Sequence, residues 1–443
     1  MQKLAQTFIL SAVFFAVWST SGTRPLSGSA MLGISALAFV FSILNWGVNI
    51  DSKFSTLVKN PFLIGGGILV LLGIIQVLNP HTIAYDADGY LHARSIEYIK
   101  WLPSGIKADA EVYGSAKAVA ELLTAYFFAS ALFFYSKNVK FCKFLIKFFA
   151  LNIAAMSIFA IAQKILNAQA VYFLFSTDSQ FYGPYYYANA TCAAIFLGLC
   201  ATAASFCLDF ETSNSFKKKA LSFLWIFPAI PQTVAIFIST SVGGKMSALI
   251  FSALLILFAI FVFLKKKIGV SKTLAAIFAI IIISAFPAYN AAKNSYESLS
   301  PTKKASVIGR AELAFLAKDV FLKAPIFGSG ADSFGYSASK AEAKKTFGNK
   351  FANSAHNSIL NYACEYGIAG IAAIFAVFFL WVKRLFARRK ILQTANIICL
   401  MGLTVSTFHS MFDIFLQIPA TMVFYALIMT LSASILKGAK DEA

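Results

Sequence analysis

Long apolar runs separated by short polar breaks occupy almost the whole chain. A helix needs about 20 apolar residues to cross hydrocarbon. Stretches of that kind cover 4–20, 30–50, 62–79, 116–135, 144–163, 188–208, 220–239, 246–264, 273–290, 357–382, 391–408 and 416–436. The pattern predicts about twelve transmembrane helices. Lys143 and Lys147 intrude on the start of the fifth. The first run has the look of a signal peptide but no clear small-residue cleavage site, so it reads as an anchor. Two intervening segments are long, 80–115 and 291–355, and a smaller one covers about 164–187. Inside 291–355, Leu313, Leu316, Ala317, Val320 and Phe321 recur at helical spacing and predict an amphipathic helix over 307–323. A glycine-rich turn over 324–334 ends it.

Composition narrows the class. Hydrophobic residues make up 59% and charged residues 13%, with a mean hydropathy of +0.72; a soluble domain carries about 25% charged residues. A soluble enzyme and a disordered chain are excluded. Six cysteines without a CxxC pair argue against a disulfide scaffold and against thiol-based metal chemistry. The fold expected is an all-α polytopic membrane protein, one integral membrane domain over 1–443. The net charge of +19 then has a topological explanation. With the N-terminus placed in the cytoplasm, the inside segments hold 21 Lys and Arg against 7 on the other side, and the 291–355 loop holds 10 more. Long loops translocate largely regardless of charge. Both termini are therefore expected inside and both long loops outside, with no role for nucleic acid.

Candidate chemistry is sparse. Four histidines are present, and no HxxxH pair. His81 and His92 fall in the first long loop, where a lone histidine is usually just solvated. His356 opens a span directly after the largest loop. On a continuous helix His356, Leu360, Ala363, Gly367 and Gly370 lie within about 40° of one line, an imidazole above a small-residue seam that would let another helix approach. Asn357, Asn361 and Glu365 form a second stripe at i, i+4, i+8. Polar groups inside a span are costly and often functional; a helix cap with polar contacts between helices explains them equally. Arg310 projects from the expected N-terminal end of the amphipathic helix and suits a phosphate oxygen. Lys245 follows Ser239-Thr-Ser-Val-Gly-Gly244 at the head of a span. It either snorkels or binds an anion delivered through the bilayer.

At these residues the chain resembles the O-antigen ligase and O-antigen polymerase superfamily of bacterial membrane glycosyltransferases. Three segments carry the likeness. His356-Asn357-x2-Leu360-x4-Glu365-x-Gly367-x2-Gly370 is similar to the family's His-Asn helix. Arg310-Ala-Glu312 through Pro325-x2-Gly328-x-Gly330 is similar to its Arg-led helix and Pro-x-x-Gly-x-Gly turn. Gly183-Pro-Tyr185-Tyr-Tyr187-Ala-Asn189 through Ala193 is similar to its Gly-x-Phe-x-Asn-x-Asn segment. The likeness spans about 180–410. Lys245 stands where the family usually has the arginine of a Ser-Arg motif, Tyr187 replaces the first asparagine, and the tryptophan common after the loop arginine is missing.

The resemblance implies a GT-C-like plan in the bacterial inner membrane with the active site on the periplasmic face. It implies inverting, metal-independent transfer of a glycan from an undecaprenyl (polyprenyl) diphosphate carrier to an acceptor hydroxyl, without a cofactor, in lipopolysaccharide or polysaccharide biosynthesis. The acceptor would be lipid A core, a growing glycan or a protein, with the ligase type favoured. His356 would be the base, Arg310 and Lys245 would bind the diphosphate, and Asn189, Asn357 and Glu365 would orient substrate. A secondary transporter is the competing class. It would place its polar features at mid-membrane in matched halves, and here they cluster at the outer ends of spans.

Overall fold

The computed structural model describes residues 1–45, 60–87, 90–108, 114–176, 181–213, 215–268, 301–340, 354–387 and 394–434. Among these, seven helical stretches are long and apolar enough to cross a membrane. They are α2 (Pro25–Leu44), α4 (Ser115–Phe134), α5 (Val139–Ile165), α6 (Ala188–Thr212), the joined pair α7 (Phe216–Ser222) and α8 (Ile226–Ile238), α9 (Val242–Ile268), and the broken helix α12 (Ser358–Ala387). Four other apolar runs also form helices, each shorter: α1 (Gln2–Trp18), α3 (Gly67–Leu78, entered through a wider turn at Phe62–Gly66), α13 (Thr394–Ser410) and α14 (Pro419–Ser434). The expected span at 273–290 lies outside the described residues.

α6 is the axis of the bundle. Every residue from Ala190 to Leu197 is buried, as a helix apolar all round requires, and α5, α8, α9, α13 and α14 pack around it. The two lysines that disturbed the fifth run are accommodated. α5 begins earlier than expected, at an Asn138 cap whose Oδ1 accepts the Phe141 N–H at 3.1 Å. Lys147 lies 2.5 Å from Asp209 Oδ1, and Asp209 Oδ2 accepts from Trp225 Nε1 at 2.8 Å.

The all-helical expectation misses a small sheet in the first long loop. β1 (Pro80–Ala87) pairs antiparallel with β2 (Tyr90–Ser95) and parallel with β3 (Gly105–Ala108). His92 sits opposite Tyr85 with ring centroids 5.6 Å apart, and His81 lies 5.7 Å from Tyr98. Both histidines are packed against aromatic rings in or beside the sheet.

The amphipathic helix is present as α10 (Pro301–Lys323), followed by α11 (Phe334–Lys340). Leu313, Leu316, Ala317 and Val320 are buried with Phe334, Ala355 and Cys364. α10 starts before the expected residue 307. Arg310 therefore lies more than two turns inside the helix rather than at its positive end.

The largest departure concerns α12. It is not continuous: Gly367 adopts φ +64°, ψ −163° and breaks it. The freed backbone groups are taken up by the segment after α10. Ile368 N–H donates to Pro325 O at 2.8 Å and Ala369 N–H to Ile326 O at 3.0 Å, while Ser329 N–H donates to Cys364 O at 2.8 Å and Gly330 N–H to Glu365 O at 3.0 Å. The buried Gln76 of α3 secures the joint: its Nε2 donates to Phe327 O and Glu365 O, each at 2.9 Å, and its Oε1 accepts the Ala331 N–H at 3.0 Å. A Cβ on Gly367 would overlap the Ile326 carbonyl, and one on Gly328 the Glu365 carbonyl. At Gly367 the expected small-residue seam thus receives a loop.

Two substitutions test this joint. Gln76→Leu leaves three buried backbone groups short of a partner and should cost about 2–3 kcal/mol. Gly367→Ala adds backbone strain of about 1–3 kcal/mol to a steric clash. Both should lower the thermal unfolding midpoint of the detergent-solubilised protein, and an unchanged midpoint would refute the assigned role of the joint.

Candidate functional site

The helix ends and loops that carry the sequence candidates meet at one end of the bundle. The centre is Asp413, in the turn between α13 and α14, which is buried. Its carboxylate accepts from Tyr187 Oη at 2.6 Å and from the Ile414 N–H at 2.8 Å on Oδ1, and from Asn189 Nδ2 at 2.5 Å on Oδ2. Its carbonyl accepts both the N–H (3.0 Å) and the hydroxyl (2.8 Å) of Ser358. One residue thus joins the start of α6 to the start of α12.

His356 lies two residues before α12, not on it, in the left-handed region at φ +46°. Asn357 is the cap: its Oδ1 accepts the N–H groups of Ile359 and Leu360, each at 3.0 Å. Capping orders the first turn of the helix, and it holds the His356 turn against Asp413. The His356 Nδ1 is buried and has no hydrogen-bond partner among the described residues. Burial pushes the imidazole below its ordinary 6.5; the Asp413 charge opposes that shift and the Arg310 charge adds to it. Arg310 reaches His356, His409 and Tyr187 electrostatically. It forms no ion pair within 4.0 Å among the described residues, where Lys147–Asp209 is the single such pair. A guanidinium held next to an imidazole and uncompensated at contact distance is suited to an anionic ligand.

Lys245 stands in the first turn of α9. Ser241 caps that turn, accepting the Gly244 N–H at 3.1 Å. The two glycines allow close approach. A Cβ on Gly243 would overlap the His409 ring, and one on Gly244 would lie 2.6 Å from Cys192 Cβ. Lys245 is within electrostatic reach of Cys192, one turn along α6 from Asn189. No hydrogen bond or ion pair joins it to His356 among the described residues.

Asn189 is therefore brought to the site as a donor to Asp413 and, at 3.0 Å, to Tyr187 Oη. Tyr187 itself supplies a hydrogen bond to the aspartate. Glu365 goes elsewhere. Its Oε1 accepts Asn361 Nδ2 at 2.7 Å, Asn361 Oδ1 accepts the Ala355 N–H at 2.8 Å, and the carboxylate lines a neighbouring cavity. Of the i, i+4, i+8 stripe, Asn357 caps and Asn361 links; Glu365 does not face the imidazole. Among the described residues no group of three His, Cys, Asp or Glu side chains is placed to hold a metal ion.

Asp413 and His409 were not singled out in the sequence, although a signal existed. Asp413 is the single Asp, Glu, Lys or Arg between Lys390 and Lys437, and an isolated charge between spans marks a buried function more often than a surface one.

The comparison with known families fits this arrangement. Residues 227–375 match the family model described as O-antigen ligase. Over that segment, about a third of the chain, the sequence is similar to the O-antigen ligase family. No curated protein matches the chain. The O-antigen ligase segment contains Lys245, Arg310, His356, Asn357 and Glu365, the loop 325–330 and the break at Gly367. Tyr187, Asn189, His409 and Asp413 lie beyond its limits; Asp413 O accepts from Ser358 within them, and the His409 ring lies against Gly243. The likeness suggests a ligase- or polymerase-type activity, and the apolar helices indicate a membrane protein.

The electrostatics can be measured. In protein with isotope-labelled histidine, His356 should titrate below 6.5. Asp413→Asn removes the charge that favours the imidazolium and should move that titration to still lower pH. A His356 titration that stays in place in the variant would remove Asp413 from its neighbourhood.

Proposed function

We propose that this protein transfers a glycan from a polyprenyl diphosphate carrier to an acceptor hydroxyl on the periplasmic face of the bacterial inner membrane, as an O-antigen ligase-type enzyme. The observation that carries the reading is the shared neighbourhood of Arg310, His356 and Asp413. A cation without an ion-pair partner among the described residues, an imidazole whose protonation burial disfavours, and a buried carboxylate lie where four chain segments converge. In the reaction, His356 takes the proton of the acceptor hydroxyl as its oxygen attacks the anomeric carbon. The bond from that carbon to the phosphate oxygen breaks with inversion, and the diphosphate leaves on its lipid carrier. Arg310 stabilises the charge that develops there, and Lys245, in the capped first turn of α9, supplies a second cation to the lipid-side phosphate. Asn189 and Tyr187 hold Asp413, and Asn357 holds the turn bearing His356. They are positioning residues. A general base contributes about 10²–10⁴ in rate.

Ligation to lipid A core, extension of a growing glycan and attachment to protein share these steps, so an assay should offer all three acceptors. With purified protein and a polyprenyl-diphosphate glycan, carrier release should require one of them. His356→Ala should lower turnover by about 10²-fold or more. Arg310→Ala should lose most activity, and Arg310→Lys should keep part of it, because lysine retains the charge without the bidentate fork. Activity should fall as the pH drops through the His356 pKa, below 6.5, since the protonated ring cannot accept the hydroxyl proton. Undiminished turnover by His356→Ala would overturn the assignment.

A further inference from the structure

A second cavity, of about 290 Å³, adjoins the His356 turn. Ser354, Asn361 and Ile414 line it, whereas His356 and Asp413 do not. The segments that carry the imidazole and the aspartate thus also border this space. Its polar lining is dominated by acids, where the other side presents Arg310. Three carboxyl groups from three elements surround it: Glu121 of α4, Asp332 of the turn after the 325–330 loop, and Glu365 of α12. Lys117, one turn before Glu121, is the single cation among its lining residues.

The three acids are not equally occupied. Glu365 takes hydrogen bonds from Asn361 Nδ2 and, at 3.4 Å, from Gln417 Nε2. Asp332, held at φ +55°, accepts the Gly114 N–H at 3.1 Å. Glu121 is enclosed by its surroundings, feels the charges of both Lys117 and Asp332, faces the cavity, and accepts no hydrogen bond from any described residue. A carboxyl group that faces a cavity without a protein partner is open to a hydrogen bond from a ligand. Two aromatic rings share the wall: Tyr362 and Tyr366, with centroids 5.8 Å apart. Carboxyl groups that hydrogen-bond to hydroxyls, beside aromatic faces that cover a ring's C–H groups, form a saccharide-binding surface.

We propose that this cavity binds the acceptor saccharide, a pyranose with hydroxyl or ammonium substituents and no phosphate, with Glu121 accepting a hydrogen bond from it. The proposal rests on the glycan-transfer reading for the word acceptor. The diphosphate is drawn to Arg310 and the sugar to the hydrogen-bonding acids and aromatic rings, and the segments carrying His356 and Asp413 border the sugar cavity.

Saturation-transfer NMR on the full-length protein in lipid nanodiscs tests it, with glucose, glucosamine and inorganic pyrophosphate as probes. Glucose or glucosamine should bind the wild type and should not be displaced by pyrophosphate. Loss of a hydrogen bond weakens binding by up to about ten-fold, so Glu121→Ala should do so, with Glu121→Gln intermediate and as thermally stable as the wild type. In the transfer assay Glu121→Gln should raise the acceptor KM and leave the donor KM within two-fold. Sugar binding that survives Glu121→Ala, that is displaced by pyrophosphate, or that is absent from the folded wild type would overturn the proposal. If sugar binding depends on Glu121 but no acceptor releases the carrier, the cavity stands as a saccharide site and the transfer reading falls instead.

Discussion

A break in an apolar helix frees backbone N–H and C=O groups that hydrocarbon cannot satisfy. The architecture of this end of the bundle follows from how α12 meets that demand at Gly367. Pro325 and Ile326 supply the two missing acceptors, and Ser329 and Gly330 supply donors. Gln76 takes up the carbonyls of Phe327 and Glu365 and the N–H of Ala331. The exchange ties the long loop to a span at a fixed register. It places α10, with Arg310, against the start of α12, and it directs Asp332 and Glu365 into one cavity. Broken helices also occur in transporters, where the exposed half-helix ends bind substrate. Here loop backbone fills the gap, so those ends are not free to do so.

Asp413 has a comparable role at the start of α12, through charge and hydrogen bonds. Both its carboxylate oxygens are engaged, by Tyr187 and its own neighbour on one and by Asn189 on the other. Its influence on His356 is consequently a field through space, with no shared proton. Tyr187 stands where the resemblance leads one to expect an asparagine, and its phenol hydroxyl donates to the aspartate.

Much of this was legible in the residues. Apolar run length located the helices, because spanning hydrocarbon imposes a length on sequence. The face of α10 followed from its 3.6-residue period, and the separated motifs around Arg310 and His356 indicated the family. Three features were hidden for physical reasons. The Gly367 break looks like a helix–helix seam, since small residues serve both purposes and the loop that fills the gap is distant in sequence. Asn357 was read as one of a polar stripe because capping depends on where a helix begins, and periodicity does not specify that. The strands of the first loop are short and end at turns, so their two-residue alternation covers too few positions to stand out. Glu121 lay inside an ordinary apolar run. Its importance depends on Asp332 and Glu365, which only tertiary packing brings near.

The charge on either side of residues 354–361 bears on why a histidine suits the proposed chemistry. Burial and the Arg310 charge both disfavour the imidazolium, so the ring is ready to accept a proton. Those same two effects would oppose the protonated ring once transfer has begun. The Asp413 charge favours it, and grows in worth as positive charge builds on His356 in a water-poor site. A base that were merely buried would be neutral but weak, and one that were merely paired would be protonated before the acceptor arrived. The opposition of Arg310 and Asp413 across one ring avoids both outcomes. On the proposed mechanism it also gives a reason for the three hydrogen bonds that hold the aspartate: a carboxylate free to swing onto Arg310 would neutralise the cation assigned to the departing diphosphate.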